Sequence, residues 1–310
     1  MKIYKPKFWH KKNSLISFFL LPLSFIFQLL ILLQKKFKKK EKFSIPVICI
    51  GNIYLGGTGK TPLSIKVAEI FKKFNKNTAI VKKLYKTHDD EFKLIESKEI
   101  KLFKNISRVL AIKEAEIDKF DCVILDDGFQ DSTVVKDLNI ICFHEEQLAG
   151  NEMTLPSGPL REPLSSLKNA QIVVINGNIN EIFEQNIKNI SSGISVYYSK
   201  YFPTNLNEFT KHNLLAFAGI GNPKNFFDLL EKNNLRVVKK VSFPDHYNYS
   251  IDELNNLVDF STKNNLKIVT TEKDFFRIQH HKLPQIQYLN VKIEIKNKDR
   301  FEEEVIKCLL

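Results

Sequence analysis

The sequence lacks the cysteine pairs that a structural zinc site needs. Its four cysteines, at positions 49, 122, 142 and 308 of 310 residues, include no Cys-x-x-Cys pair. Three of them lie inside short apolar runs, as free buried thiols do in proteins of a reducing compartment. We therefore expect free thiols and no zinc site.

The sequence also lacks a recognisable nucleic-acid-binding motif, although it is basic. Its formal net charge is +12, and 43% of its residues are hydrophobic. A basic balance favours a polyanionic partner such as nucleic acid, anionic lipid or a phosphorylated substrate. The net charge is the only feature that favours nucleic-acid binding, so we expect no nucleic acid as a partner. No obligate protein partner is evident either.

An apolar run over residues 15–33 predicts an N-terminal membrane helix, roughly 28 Å long and close to the hydrocarbon thickness of a bilayer. No small-residue cleavage site follows it, which argues against a cleaved signal peptide. Lysines flank it on both sides, which favours a helix lying in an anionic membrane interface. Its all-round apolar character favours insertion instead. The sequence does not distinguish a helix that spans the membrane from one that lies in its interface. The alternative to both is a long helix in the hydrophobic core of the protein.

A glycine-rich turn at residues 56–61 connects the first predicted strand, 45–50, to a predicted helix, 62–74. Glycines let backbone N–H groups face phosphate oxygens, and the helix N-terminus favours negative charge. In such a loop Lys60 reaches the β- and γ-phosphates and the Thr61 hydroxyl ligates Mg²⁺. Tyr54 stands where the strict motif has glycine, so this is a variant loop, with an ordinary glycine turn as the alternative. The predicted nucleotide-binding residues are Gly56, Gly57, Thr58, Gly59, Lys60 and Thr61.

Two adjacent carboxylates, Asp126 and Asp127, directly follow a predicted buried strand, 122–125. Beside a phosphate loop, one such carboxylate can hold Mg²⁺ while the other orients or deprotonates a nucleophile. The alternative is a solvated Asp-Asp-Gly turn.

The alternation of short strands with helices predicts an α/β fold with a P-loop NTPase-like parallel sheet. The pattern restarts near residue 214, which indicates a second, smaller α/β domain. We predict an N-terminal membrane-associated helix and basic linker over 1–42, a P-loop domain over 43–205 and a C-terminal α/β domain over 206–310.

Several motifs, in order over about residues 46–277, resemble the lipid A 4'-kinases (tetraacyldisaccharide 4'-kinases). They are the loop at 51–62, Asp-Asp-Gly-Phe-Gln at 126–130, Leu-Pro-Ser-Gly-Pro-Leu-Arg-Glu-Pro at 155–163, Ala-Gly-Ile-Gly-Asn-Pro at 218–223, Phe-Pro-Asp-His-Tyr at 243–247 and Thr-Thr-Glu-Lys-Asp at 270–274. The resemblance implies transfer of the γ-phosphate of ATP, with Mg²⁺, to the 4'-hydroxyl of a tetraacyl glucosamine disaccharide 1-phosphate. The implied product is lipid IVA, made at the cytosolic face of the inner membrane.

The resemblance also implies residue roles. It makes Lys60, Asp127, His246 and Asp90 the candidate catalytic residues and Thr61, Asp126 and Glu162 the candidate metal ligands, with Arg161 near the nucleotide. His246 would pair with an aspartate to activate the sugar hydroxyl, and the choice of Asp90 over Asp89 stays open.

The chain departs from the family pattern at two places. The family usually has Ser-Arg-Gly-Tyr where residues 82–85 read Lys-Lys-Leu-Tyr, and the segment from there to Asp90 is short. Asp131 stands where a histidine often follows the Asp-Asp-Gly-Phe-Gln motif.

A membrane-associated switch ATPase of the partitioning type is the alternative function. Such proteins share the Gly-Gly-x-Gly-Lys-Thr loop but typically carry a lysine before the glycine pair, where this chain has Leu55. They also lack a histidine-bearing second α/β domain.

Overall fold

The structure, a computed structural model, describes residues 6–84 and 89–309. The helices are α1 (Leu15–Phe37), α2 (Lys60–Lys73), α3 (Asp89–Glu96), α4 (Arg108–Ile117), α5 (Glu181–Ile190), α6 (Pro223–Lys232), α7 (Ile251–Lys263), α8 (Glu272–Ile278) and α9 (Lys298–Ile306). The strands are β1 (Val47–Gly51), β2 (Thr78–Lys83), β3 (Lys101–Asn105), β4 (Cys122–Asp126), β5 (Leu138–His144), β6 (Ile172–Asn176), β7 (Ser195–Pro203), β8 (Asn213–Ala218), β9 (Arg236–Ser242), β10 (Lys267–Thr271), β11 (Ile286–Leu289) and β12 (Val291–Ile295).

The chain divides into two compact units. The first contains Met1–Leu84, Ile100–Lys200 and Glu294–Leu310, and the second contains Tyr85–Glu99 and Tyr201–Ile293.

The first unit is built on an eight-stranded sheet in the order β12-β7-β6-β5-β1-β4-β2-β3. The pairings from β3 through to β7 are parallel. Strands β1, β4 and β6 are buried at every position, as expected of parallel strands that are covered on both faces. Their near-continuous Val, Ile, Leu and Cys sequences are therefore the reason for their position in the middle of the fold.

The second unit carries a four-stranded parallel sheet in the order β11-β10-β8-β9. Its helix α7 begins with the predicted capping box: the Glu253 amide donates to Ser250 Oγ at 3.2 Å, and the Ser250 amide donates to Glu253 Oε2 at 2.9 Å. The second α/β sheet predicted from the restarting pattern is confirmed.

The second unit resumes at Tyr201 rather than at residue 206, and two further segments are assigned differently from the boundaries 43–205 and 206–310. Helix α3 lies with the second unit because it packs on α8, where Glu91 of α3 pairs with Lys273 at 2.8 Å and Lys98, just after α3, pairs with Glu272 at 2.6 Å. The segment from residue 294 lies with the first unit, where the Lys73 ammonium of α2 pairs with Glu302 of α9 at 2.6 Å. Both assignments depend on contacts between residues far apart in sequence, which local patterns do not reveal.

Helix α1 belongs to the first unit and is attached to it by two buried serines. Ser24 Oγ donates to Ser157 Oγ at 2.8 Å, and Asn151 Nδ2 donates to Ser17 Oγ at 3.1 Å. The apolar side chains remain outside: Phe19 is 85% exposed and Phe25 is 73% exposed. A core helix would be mostly buried, whereas only 11% of the most apolar window of α1 is. By length and composition α1 could cross a membrane.

Candidate active site

The glycine-rich loop lies between the end of β1 and the start of α2, as predicted. Gly59 has φ +91° and Gly56 has φ +126°, conformations that L side chains rarely adopt. The Asn52 side chain fixes the loop by donating to the Gly56 carbonyl at 3.0 Å and to Thr58 Oγ1 at 2.9 Å. Backbone amides at the N-terminus of the 14-residue helix α2 can therefore face a phosphate group.

The two carboxylates after β4 have different surroundings. Asp126 is buried and accepts a hydrogen bond from Thr61 Oγ1 at 2.8 Å. Asp127 has φ +62° and pairs with Arg161 Nη2 at 2.8 Å and with Lys60 Nζ at 3.7 Å. Burial acts to raise the pKa of Asp127, but the attraction of Lys60 and Arg161 outweighs it and holds that pKa far below its usual value. Asp127 is thus a carboxylate at neutral pH.

Asp126 and Thr61 present the kinds of oxygen atom that Mg²⁺ prefers as ligands. The Oδ1 atom of Asp126 is buried and accepts no hydrogen bond from the residues that the structure describes, while the Thr61 hydroxyl lies next to its Oδ2. Mg²⁺ is commonly held by one or two such protein oxygens together with substrate phosphates. Within residues 6–84 and 89–309, no group of three or more His, Cys, Asp or Glu side chains could hold a metal. Glu162, the third predicted ligand, is buried and pairs with Lys35 Nζ of α1 at 2.8 Å.

Lys82 is a member of this cluster that sequence reasoning missed. In the parallel pairing of β2 with β4, Val81 lies opposite Leu125, so the next residues, Lys82 and Asp126, lie side by side. The Lys82 ammonium is 2.6 Å from Asp126 Oδ2 and 3.5 Å from Thr61 Oγ1. Strand alternation with the pairing register would have placed it, but the sequence alone does not give the register.

A second cluster, in the second unit, contains both residues of the predicted base. Asp90, at the start of α3, is buried and receives a hydrogen bond from Arg277 Nη2 of α8. His246, in the loop after β9 with φ +54°, has Nδ1 3.7 Å from Asp90 Oδ2. Asp89 is exposed. The structure thus brings Asp90, rather than Asp89, to His246.

The charges around His246 favour a neutral imidazole. Burial and the nearby Lys273 lower the pKa of His246 below 6.5, against the opposing effects of Asp245 and Asp90. Lys273 Nζ lies 3.5 Å from His246 Nε2. A proton on Nδ1, facing Asp90, leaves the Nε2 lone pair to accept a proton.

Arg277 and Lys273 of this cluster were not among the predicted site residues. Lys273 is part of the Thr-Thr-Glu-Lys-Asp motif, which did signal it, whereas Arg277 follows one helical turn after Asp274 without a motif of its own. Arg277 bridges the two acids, because its Nη1 donates to Asp274 Oδ1 at 2.8 Å while Nη2 donates to Asp90.

Comparison with known protein sequences identifies the family of this chain. The sequence matches the model of LpxK, tetraacyldisaccharide-1-P 4'-kinase, over residues 16–310. A tetraacyldisaccharide 4'-kinase of Pelagibacter ubique (strain HTCC1062) is 43% identical over 314 residues, which cover 99% of this chain and 98% of the relative. The enzyme of that name from Rickettsia bellii (strain OSU 85-389) is 32% identical, with 99% of both chains covered.

This chain belongs to the tetraacyldisaccharide-1-P 4'-kinase family.

A solved structure agrees with the fold of this family. The "apo" form of LpxK from Aquifex aeolicus, crystallised in complex with ATP, superimposes with a TM-score of 0.74 at 23% identity, covering 96% of this chain and 100% of that one. The predicted fold class, a P-loop NTPase-like sheet with an N-terminal helix and a second α/β unit, is confirmed. The kinase prediction is likewise supported over the switch ATPase.

In this member of the tetraacyldisaccharide-1-P 4'-kinase family, Asp131, the second departure from the pattern, makes structural contacts. Asp131 Oδ2 pairs with Arg108 Nη1 at 3.0 Å, and its Oδ1 accepts from the Thr133 hydroxyl at 2.6 Å. Burial acts to raise the pKa of Asp131, but the Thr133 hydrogen bonds and Arg108 lower it further than burial raises it. Tyr85, in the other departure from the pattern, lies outside the described residues.

Proposed function

We propose that this protein transfers the γ-phosphate of ATP to the 4'-hydroxyl of a tetraacylated glucosamine disaccharide 1-phosphate, giving lipid IVA. The observation that carries the proposal is the combination of family membership with two built clusters: the phosphate loop facing Asp126 and Asp127, and the Asp90–His246 pair. The ATP-complexed relative from Aquifex aeolicus supports the choice of nucleotide.

The first cluster would bind and orient the triphosphate. The amides of Gly56, Gly57, Thr58 and Gly59 would contact phosphate oxygens, and Lys60 would reach the β- and γ-phosphates. Lys60 and Arg161 already hold Asp127 between them, so this carboxylate orients both cations before the nucleotide arrives. The arrangement supplies positive charge where the transferring phosphoryl group becomes more negative.

Mg²⁺ is part of the proposal. The Thr61 hydroxyl and Asp126 would hold it, directly or through water, and it would neutralise charge on the β- and γ-phosphate oxygens. Glu162 stays a proposed third ligand, with the Lys35 ammonium as its present partner.

The second cluster would deprotonate the sugar. A sugar hydroxyl is a poor nucleophile at neutral pH, and a carboxylate–imidazole pair can take its proton as the phosphoryl group transfers. His246 Nε2 would accept that proton while Asp90 keeps Nδ1 protonated and stabilises the imidazolium. Arg277 would hold Asp90 in place.

The test of the proposed function is a reconstitution. We expect the purified protein, incubated with ATP, Mg²⁺ and the tetraacyl disaccharide 1-phosphate, to give a product heavier by one phosphoryl group, located at the 4' position by fragmentation mass spectrometry. Omission of the disaccharide should leave ATP intact. ATP hydrolysis without any phosphorylated lipid would instead support the switch ATPase.

Membrane association at the cytosolic face of the inner membrane is part of the proposal because α1 presents apolar side chains outward between lysine-rich flanks. An apolar groove of about 370 Å³ runs along α1 and is suited to an acyl chain. It is lined by Leu23, Ile26, Phe27, Leu30, Leu155 and Pro156.

We expect the double variant Phe19→Glu, Phe25→Glu to lose binding to anionic phospholipid vesicles. Burial of one such ring contributes about 1.5–3 kcal/mol, so the partition coefficient should fall at least ~100-fold. Vesicle co-sedimentation measures it.

The matched control is Ile117→Glu, Ile182→Glu, which makes the same charge change at side chains that are 78% and 79% exposed on α4 and α5. We expect it to bind vesicles nearly as the wild type does. Equal sedimentation of both double variants would refute α1 as the membrane contact.

A further inference from the structure

A lysine, Lys82, lies next to the proposed metal ligands Asp126 and Thr61. Lys82 ends a buried run of β2, and its ammonium lies 2.6 Å from Asp126 Oδ2. The Lys82 side chain is 6% exposed and that of Asp126 is 0% exposed. Within such a site, water screens the two charges little, so the pair is strongly coupled.

Asp126 Oδ2 thus has two donors, the Thr61 hydroxyl at 2.8 Å and the Lys82 ammonium at 2.6 Å. The same ammonium is 3.5 Å from Thr61 Oγ1. A cation that bound to both the Thr61 hydroxyl and Asp126 would therefore meet a positive charge already bonded to one of its ligands.

The charges of the cluster reinforce this conflict. Lys60, Lys82 and Arg161 bring three positive charges, while Asp126 and Asp127 bring two negative ones, and both carboxylates are already paired. A phosphate loop that recruits a divalent cation is expected to keep its acid available to that cation.

We propose that Lys82 is a built-in competitor of the divalent cation: its ammonium neutralises Asp126, and the metal that accompanies the nucleotide binds there only by displacing it. Lys82 therefore sets the metal requirement of the site. The inference rests on the proposed function, since it assumes that the nucleotide binds at this loop with a metal.

The test measures how strongly metal and nucleotide binding are coupled, with Mn²⁺ as the metal and a non-hydrolysable ATP analogue as the nucleotide. The Kd of the analogue, by calorimetry, is compared without metal and with saturating Mn²⁺, and the ratio of the two values is the coupling. We expect Lys82→Ser to raise this ratio at least ~10-fold over the wild type, because the freed carboxylate then attracts the metal. Lys82→Met, which keeps the apolar stem, should act in the same direction and covers the case in which the serine variant does not fold.

Lys83→Ser is the matched control, because it removes the same charge from the neighbouring position of β2. It should leave the ratio within about twofold of the wild type. A second readout is thermal: without nucleotide, Mn²⁺ should raise the melting temperature of the Lys82 variants more than that of the wild type, since the metal replaces the lost positive charge beside Asp126.

A ratio that is unchanged or lower in both Lys82 variants would overturn the proposal. Weaker binding of the analogue without metal, together with an unchanged ratio, would make Lys82 a phosphate-binding residue instead. If the wild type bound no analogue at all, the proposed function itself would fail, so the two failures are distinguishable.

Discussion

The Lys60→Ala variant should lose at least about 10³-fold in kcat/KM for ATP-dependent phosphorylation of the disaccharide. Lys60 occupies the first position of α2, and its ammonium lies 3.7 Å from Asp127. There it would face the phosphate oxygens whose charge increases during transfer, in a site where its own side chain is only 15% exposed. Alanine removes that charge while keeping the helix. Initial rates of lipid phosphorylation at several ATP concentrations measure the loss.

Lys66→Ala provides the control for this variant. Lys66 is on the same helix and pairs with Glu69 at 3.8 Å, so its replacement makes the same charge change away from the loop. We expect it to retain nearly full turnover. Full activity in Lys60→Ala would mean that the loop at residues 56–61 does not hold the transferred phosphate.

The arrangement around the first cluster could be predicted because its information is local. Each of β1 and β4 is a continuous apolar run that ends in the motif residues, and parallel strands in the middle of a sheet present their carboxyl ends at one edge. The strand ending at Asp126 and the loop before Thr61 therefore had to meet once β1 and β4 paired, and the 2.8 Å hydrogen bond confirms that contact.

The partners of these residues could not be predicted in the same way. Lys82 and Lys83 are adjacent and chemically alike, and only the pairing of Val81 with Leu125 places Lys82 against Asp126. The ion pair between Lys35 and Glu162 likewise joins two residues that are 127 positions apart in the sequence. Such contacts follow from tertiary packing, to which periodicity and motif spacing are blind.

In the second cluster, too, one part of the site could be predicted from the sequence and another part could not. The motifs identified His246 but did not decide between Asp89 and Asp90. The segment before these two residues is shorter than in the family pattern, so neither aspartate could be matched to a position of that pattern. Burial decides between them: Asp90 is on the face of α3 that packs on α8, beside Arg277, whereas Asp89 is exposed. The helical period alone predicts that Asp89 and Asp90 lie on different faces of α3, but it does not predict which face is buried.

His246→Ala should lower kcat by about 10²–10⁴-fold and leave nucleotide affinity nearly unchanged, since the residue would act on the sugar hydroxyl and not on the phosphates. The pH dependence gives a second signature. The imidazole must be neutral to accept a proton, and its pKa is lowered below 6.5 by burial and Lys273. The wild-type rate should therefore fall only as the pH drops below 6.5, through that lowered pKa, and this fall should be absent from the residual rate of His246→Ala. Rate profiles against pH and separate binding of an ATP analogue measure both effects.

Asp90→Asn extends the argument to the positioning of the base. The Asp90 charge opposes the lowering of the His246 pKa, so its removal should lower that pKa further and move the acid limb of the profile to still lower pH while kcat falls. His280→Ala, an exposed histidine of the same unit, is the control and should keep the wild-type profile. A wild-type profile and turnover in His246→Ala would assign the base to another group, and an acid limb that moved to higher pH in Asp90→Asn would contradict the electrostatic role of the aspartate.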